Sequence, residues 1–218
     1  MPNTPVTLLI VDDEPAILES LSQVLTEIGY SVRFAEDGFS ALREIHNEVP
    51  RFLLTDLNMP RMSGFELLSI VRRRFPAIRT IAMSGSFSGE EVPSGVAADA
   101  YFQKGSSIAA LLRIMETLPQ LERNAHSPTS PDAPLWIYRG THDSSLDAYV
   151  TITCPECLRT FSETLDTSYL KREINCIYCH CSIHYAIAQP AGMMLSVTFK
   201  RETAKASSFA RSSPNFNS

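Results

Sequence analysis

The sequence lacks the features of a membrane or exported protein. None of its apolar runs approaches the roughly 18 residues that a membrane-spanning helix needs. The N-terminal segment 1–15 has no basic residue before its apolar run, and that run ends at two aspartates. This pattern argues against a signal peptide. We therefore expect a cytoplasmic protein with no membrane partner.

An excess of basic residues is also missing. Residues 1–122 contain 10 basic and 16 acidic side chains, and residues 151–218 contain 7 basic and 5 acidic ones. Nucleic-acid backbones are bound by clustered Lys and Arg side chains. The acidic first part argues against such binding there, and the second part is too weakly basic to indicate it by itself.

Cysteine is absent from the first 153 residues, and all five cysteines lie between Cys154 and Cys181. In a reducing compartment this clustering indicates metal binding before disulfides. The apolar content of 44% is that of a globular protein and excludes disorder over the full length.

Between residues 6 and 118, short apolar runs alternate with amphipathic helical patterns. The runs indicate buried parallel strands at 6–11, 31–35, 52–56, 80–84 and 100–103. The apolar stripes indicate four helices, with a fifth, short one within 85–99. Start and stop signals support three of them: Pro15 and Gly29, Asp37, and a Ser63–Glu66 capping box. Strands alternating with helices predict an α/β fold with both sheet faces covered.

The chain divides into four predicted parts. Residues 1–122 form the α/β domain, and 123–148 form a proline-rich linker whose end, with Trp136, is ambiguous. Residues 149–200 show β-type alternation around the cysteines, which predicts a small, mostly β domain. Residues 201–218 are rich in Ser, Ala and Asn, and we expect a disordered tail.

Polar side chains follow the predicted strands of the first domain. In open parallel sheets, ligands bind at the carboxyl ends of the strands. At those ends stand three carboxylates, a hydroxyl and an ammonium: Asp12, Asp13, Asp56, Ser84 and Lys104. Crowded carboxylates favour a hard cation such as Mg²⁺. A cation beside a nucleophilic carboxylate, a hydroxyl and a lysine is what phosphoryl transfer to aspartate would need.

The residues of this cluster resemble the receiver domain of bacterial two-component response regulators. The resemblance covers residues 5–120 and rests on VDDEP at 11–15, TDLNMP at 55–60 followed by Ser-Gly at 63–64, and then Ser84 and Lys104. It implies a five-stranded, doubly wound, flavodoxin-like sheet with strand order 2-1-3-4-5. Two positions depart from the family: Gly105 follows the lysine where many members have proline, and the helix within 85–99 is short.

The resemblance also implies a role for each residue. A sensor histidine kinase would phosphorylate Asp56, with Mg²⁺ bound by Asp13, Asp56 and the backbone carbonyl of Asn58. The remaining side chains would act on the metal, the phosphoryl group or the switch: Asp12 through a metal-bound water, Ser84 and Lys104 at the phosphoryl oxygens, and Tyr101, with Ser84, as the switch. A half-buried strand aromatic is the alternative interpretation of Tyr101.

Two Cys-x₂-Cys pairs, Cys154 with Cys157 and Cys176 with Cys179, are separated by 18 residues. This spacing is typical of a structural Zn²⁺ site with four thiolates. The pattern resembles a zinc ribbon over residues 149–188. That family often has glycine after the second cysteine of each turn, where this chain has Leu158 and His180. The register of the second pair stays open, because two further ligands lie nearby: Cys181 and His184.

Together these patterns predict a response regulator of a two-component phosphorelay. We expect it to signal through protein contacts of the receiver face and the zinc module, with no enzyme activity beyond its own phosphorylation and dephosphorylation. The alternative is a transcriptional regulator whose zinc ribbon binds nucleic acid. Residues 149–200 have no net charge and no helix-turn-helix pattern, which weakens that alternative. The kinase, the output partner and a phosphorylation-dependent homodimer stay open.

Overall fold

A computed structural model describes residues 6–85, 97–120, 134–138, 149–164 and 171–188. The tail predicted at 201–218, most of the predicted linker and most of the short helix predicted within 85–99 lie outside these residues. Within the described part of the chain, every helix is too short or too polar to cross a membrane.

Five parallel strands form the N-terminal sheet in the order β2-β1-β3-β4-β5, which confirms the predicted flavodoxin-like topology. The strands are β1 Thr7–Val11, β2 Ser31–Ala35, β3 Phe52–Asp56, β4 Arg79–Ser84 and β5 Ala100–Gln103. The described helices are α1 Pro15–Ile28, α2 Gly38–Asn47, α3 Gly64–Arg74 and α4 Ile108–Thr117, which a short 3₁₀ turn follows at Leu118–Gln120.

The pleat of β1 divides the core between the two faces of the sheet. Leu8 and Ile10 join a cluster with apolar residues of α1 and α4. Leu9 and Val11 point the other way and join a cluster with residues of α2 and α3. Alternate strand residues face opposite sides, so a strand that is apolar throughout needs helices on both.

Local signals begin and end the helices as predicted, with one exception. Gly29 ends α1 with a φ of 108°, and the Asp37 carboxylate begins α2 by accepting from the Ser40 backbone N–H at 2.7 Å. Ser63 Oγ accepts from the Glu66 backbone N–H at 3.3 Å. The Glu66 carboxylate accepts from Thr153 instead of the start of α3, so the reciprocal half of the predicted capping box is wrong.

Five further strands form two small sheets around the cysteines. They are β6 Leu135–Tyr138, β7 Tyr149–Thr153, β8 Thr160–Thr164, β9 Lys171–Asn175 and β10 Ser182–Ala188. Strands β7 and β8 pair as a hairpin, while β10 pairs antiparallel with β9 and parallel with β6. The C-terminal module therefore includes residues 135–138, which the sequence pattern had assigned to the linker.

Helix α3 is buried on two sides. One side packs on the parallel sheet, and strand β6 of the C-terminal module lies against the other. The arginine run at its end, expected to be solvated, is partly buried: Arg72 is 5% exposed and forms an ion pair with Asp99. That expectation was wrong for Arg72 because the partner carboxylate lies 27 residues away in the sequence.

Candidate phosphoacceptor and metal sites

Three of the predicted site residues meet at the carboxyl ends of the parallel strands. Asp12 follows β1, Asp56 ends β3, and both are almost fully buried. Lys104 Nζ lies 2.9 Å from Asp12 Oδ2 and 3.2 Å from Asp56 Oδ1. The ends of parallel strands share one edge of a sheet, so residues that are distant in sequence converge there.

In this cluster, two buried carboxylates, those of Asp12 and Asp56, share one positive charge, the ammonium of Lys104. Burial raises the pKa of Asp56, and Lys104 offsets this only in part. Burial alone would lower the pKa of Lys104, but the carboxylates of Asp12 and Asp56 outweigh it and raise that pKa. Lys104 therefore stays charged at neutral pH and can bind an anion that reaches Asp56.

The oxygen atoms around Asp56 suit a hard divalent cation. Asn58 donates its backbone N–H to Asp56 Oδ2 at 3.0 Å, which holds this residue beside the Asp56 carboxylate. The side-chain Oδ1 of Asn58 is buried without a hydrogen-bond partner among the described residues. Asp13 stands next to Asp12 at the exposed rim. Carboxylate and carbonyl oxygens that open onto solvent fit Mg²⁺, which keeps several waters.

The predicted switch pair is joined through one backbone carbonyl. Tyr101 donates its hydroxyl to the carbonyl of Ser84 at 3.1 Å, and the backbone N–H of Lys104 donates to the same atom at 2.9 Å. Ser84 itself is fully buried at the end of β4. Gly105 follows with a φ of 85°, which suits its lack of a side chain. The switch role of Tyr101 stays a prediction.

The four predicted cysteine ligands meet between the two hairpins. Their Sγ atoms all lie within 4.8 Å of one another, with 3.6 Å between Cys154 and Cys179 and 3.7 Å between Cys157 and Cys176. Four sulfurs that surround Zn²⁺ at about 2.3 Å are about 3.8 Å apart in a tetrahedron. The donor set and its spacing therefore fit a structural Zn²⁺.

Both cysteine turns have the same backbone geometry. Leu158 and His180 donate their N–H groups to the carbonyls of Cys154 and Cys176, each at 2.9 Å. These two residues have φ values of 58° and 59°, at the positions where glycine is frequent in zinc ribbons. Two pairs of ligands on adjacent hairpins need two such turns, and the turns at Cys154 and Cys176 match each other.

Backbone N–H groups around the second turn favour thiolate at Cys179. Its pKa is lowered to about 6, chiefly by a hydrogen bond from the backbone N–H of Cys181. Burial raises the pKa of Cys154, which lies at the closed side of the cluster. The thiolate is the form of cysteine that binds metal, so a bound cation would stabilise the Cys179 thiolate further.

The two alternative ligands have different places. Cys181 Sγ lies 3.4 Å from both Cys154 Sγ and Cys179 Sγ, so it flanks the cluster as a fifth sulfur. His184 directs its Nε2 at the carboxylate of Glu173, 3.7 Å away. Cys181 is therefore close enough to the four sulfurs to act as an alternative ligand, whereas His184 contacts Glu173.

One set of residues between the two domains was missed by the sequence analysis. We call it the α3 outer face: Glu66, Ser69 and Arg74, spaced three to five residues apart along one side of the helix. Leu67 and Ile70 are also fully buried, although they lie off the stripe that faces the sheet. Apolar residues on two sides of a helix indicate that it is covered twice, and this signal was present in the sequence.

Known proteins resemble the first half of the chain. Response regulator MprA of Mycobacterium sp. (strain KMS) is 34% identical over 129 residues, which are 58% of this chain and 56% of that protein. Probable transcriptional regulatory protein TcrX of Mycobacterium tuberculosis is 31% identical over 116 residues, 52% of this chain and 50% of that protein. The chain thus spans about half the length of the curated relatives it matches.

Solved structures resemble the same part. A CheY-like response regulator receiver domain protein of Methanospirillum hungatei JF-1 is 35% identical, with a TM-score of 0.50, over 54% of this chain and 96% of its own. Chemotaxis response regulator CheY4 of Vibrio cholerae is 28% identical, with a TM-score of 0.50, over 53% of this chain and 99% of its own.

The model of the family described as response regulator receiver domain matches residues 8–116, which are half of the chain. This range contains all of the five-stranded sheet except Thr7, the first residue of β1, and it contains the cluster of Asp12, Asp56 and Lys104. The chain therefore belongs to the response regulator receiver domain family.

Proposed function

We propose that this protein is a response regulator whose Asp56 accepts a phosphoryl group from a sensor histidine kinase. The observation that carries the proposal is the position of Lys104 Nζ between Asp12 and Asp56, at the carboxyl ends of their strands. An ammonium there can bind the equatorial oxygens of a phosphoryl group that is being transferred.

The reaction is a transfer from nitrogen to oxygen. A carboxylate oxygen of Asp56 attacks phosphorus, the P–N bond of the kinase phosphohistidine breaks, and the imidazole nitrogen takes the electron pair. The ammonium of Lys104 and the hydroxyl of Ser84 would bind the phosphoryl oxygens. Attack by water on the acyl phosphate later restores the carboxylate, and we propose no other enzyme activity.

Asp13, Asp56 and the backbone carbonyl of Asn58 are the proposed ligands of Mg²⁺, with Asp12 acting through a bound water. When bound, Mg²⁺ would neutralise charge that develops on the phosphoryl group. The oxygen donors and the orphaned Asn58 Oδ1 support this assignment.

For the C-terminal module we propose a structural Zn²⁺ bound by Cys154, Cys157, Cys176 and Cys179. Four thiolates leave no open position for catalysis, so the ion would hold two hairpins that are too small to fold on their own. The module would act through protein contacts. Nucleic-acid binding is the second candidate, since one relative bears the name of a transcriptional regulator.

Intact mass measurement tests the phosphoacceptor. Incubated with acetyl phosphate and Mg²⁺, the wild-type chain gains one phosphoryl group, whereas Asp56→Asn gains none because the nucleophile is gone. Asp13→Ala also loses the gain, since the cation is no longer held. Glu19→Gln, on the exposed surface of α1, is the matched control and keeps it. Phosphate gained by Asp56→Asn at the wild-type rate contradicts the assignment.

Binding to DNA at increasing salt concentration separates the two output candidates. If the module acts through protein contacts, we expect no DNA affinity that falls steeply with salt, because the described surface of the module has no cluster of Lys and Arg. Tight binding with a steep salt dependence favours the transcriptional regulator.

A further inference from the structure

Helix α3 differs from the other helices of the receiver in how it is covered. Eight of its 11 residues are buried, among them the charged residues Glu66 and Arg72, whereas α1 buries only Leu18 and Leu25 of its 14. A receiver helix with one face on the sheet exposes its other face. In this chain the other face is occupied by the C-terminal module.

Polar contacts from the α3 outer face fix the module at three places. Glu66 Oε1 accepts the backbone N–H of Thr153 at 2.8 Å, in a fully buried position. Ser69 Oγ accepts the backbone N–H of Trp136 at 3.4 Å. Arg74 donates to the carbonyls of Pro155, at 3.4 Å, and Glu156. All four hydrogen bonds reach the module's backbone, so they depend on its conformation more than on its side chains.

The contacts of Glu66 and Arg74 lie at the turn that holds the first pair of predicted ligands, Cys154 and Cys157. Thr153 immediately precedes Cys154, while Pro155 and Glu156 lie between the ligands Cys154 and Cys157. A metal that binds both cysteines would fix the backbone of this turn in the conformation whose N–H and carbonyl groups meet α3. Anything that binds one conformation better shifts the equilibrium towards it.

The N-terminal end of α3 touches the phosphoacceptor. A Cβ on Gly64 would lie 1.9 Å from the carbonyl oxygen of Asp56, so the helix begins in contact with that residue's backbone. The Gly64 backbone N–H donates to the Leu57 carbonyl at 3.1 Å. A phosphoryl group on Asp56 has to be accommodated by this loop, which leads directly into α3.

We propose that the α3 outer face is the output surface of this receiver and that its partner is the cysteine module of the same chain. Metal bound by the module favours docking on α3, and phosphorylation of Asp56 changes the same docking equilibrium. By linkage, phosphorylation then alters how strongly the module holds its metal. This inference rests on the proposed phosphoacceptor and zinc functions.

The chain carries its own probe of docking. Trp136 is the only tryptophan, and it lies in β6 where that strand contacts Ser69. Quenching of its fluorescence by acrylamide in the full-length, zinc-loaded protein therefore reports whether β6 covers α3. Native mass spectrometry of the same samples measures bound zinc and phosphate separately, so a failure of the proposed phosphoacceptor or zinc function is recognised independently of docking.

Ser69→Arg places a long cation under β6 and leaves Asp56 and the cysteines untouched. We expect the variant to keep its zinc and gain phosphate, while the quenching constant of Trp136 rises about twofold. We expect a chelator to remove its zinc about threefold faster. Ser20→Arg, at an exposed position of α1, is the matched control and behaves as wild type. Beryllofluoride with Mg²⁺ should change quenching in wild type and not in Ser69→Arg.

Three results overturn the inference. One is wild-type quenching and zinc release in a Ser69→Arg protein that holds zinc. Another is identical wild-type quenching with and without beryllofluoride when mass shows that Asp56 accepts phosphate. If Ser69→Arg fails to fold, Arg74→Ala decides, with the exposed Arg113→Ala as its control: equal zinc release from these two variants is the third contradicting result.

Discussion

Glu66 places a carboxyl group where water does not reach, since the residue is 2% exposed. Burial raises its pKa to about 7 against an ordinary value of 4.5, and the hydrogen bonds from Thr153 offset this only in part. The folded chain therefore holds a proton that the unfolded chain has released. The contribution of Glu66 to stability is greatest below about pH 4.5 and is lost as the pH rises through about 7.

Glu66→Gln should remove this pH dependence, because the amide keeps an oxygen for the Thr153 N–H but cannot ionise. We expect the variant to exceed wild type in unfolding free energy by on the order of 2 kcal/mol at pH 8, with little difference at pH 4.5. Denaturant unfolding of both proteins across this range measures it. A difference that does not change with pH contradicts the assignment of the raised pKa to Glu66.

We predict that metal binding requires Cys176 and does not require Cys181. Cys176→Ser should lose Zn²⁺, since the residue is buried within the four-sulfur cluster. Cys181→Ser should keep one Zn²⁺ per chain, because Cys181 lies beside that cluster and outside the predicted ligand set. Metal analysis of the two purified variants decides between the registers. Loss of metal from Cys181→Ser, with retention in Cys179→Ser, would assign the fourth ligand to Cys181.

At the scale of the element, each cysteine turn contains a residue in the left-handed region. Leu158 packs against the core, whereas His180, with a φ of 59°, is exposed. A side chain in this region costs about 1–2 kcal/mol. His180→Gly should therefore stabilise the zinc-loaded module by about 1 kcal/mol in thermal unfolding. His180→Ala is the matched control and should give no gain, because alanine keeps the steric conflict.

Several elements were predictable because their signals are local. The apolar runs at 31–35, 52–56 and 100–103 are strands with those same bounds, and the two cysteine pairs converge as their spacing indicated. The cluster of Asp12, Asp56 and Lys104 followed from the rule that parallel strands share a carboxyl edge.

The second face of α3 was not predicted, for a physical reason. Amphipathic periodicity shows that a side of a helix is buried, but not which segment covers it. Here the cover is β6, more than 60 residues along the chain, in a segment whose prolines indicated a linker. Glu66 and Thr153 are 87 residues apart, so the partner of the Glu66 carboxylate could not be read from the local capping pattern.

At the scale of the whole molecule, one apolar core spans both domains. A single cluster of buried residues contains Leu53 of the parallel sheet, Leu67 of α3, and Ile137 and Ile183 of the module. We expect the zinc-loaded chain to unfold in one thermal transition, seen at the same temperature by Trp136 fluorescence and by circular dichroism.

Removal of zinc with a chelator should separate that transition into two. The module then loosens first, and the receiver melts about 4 °C lower because α3 has lost its cover. Two resolved transitions in the zinc-loaded protein would contradict the single core.

The double cover of α3 also constrains how the chain is made. The ribosome releases the receiver first, while residues 134–188 are still being synthesised or held in the exit tunnel. During that interval Leu67 and Ile70 have no cover, and the nascent receiver presents an apolar strip to any chaperone or neighbouring nascent chain. With the proposed Zn²⁺, this interval would end when the last cysteine turn emerges and binds its ion, so the supply of zinc to the cell would limit how much mature protein each round of translation yields.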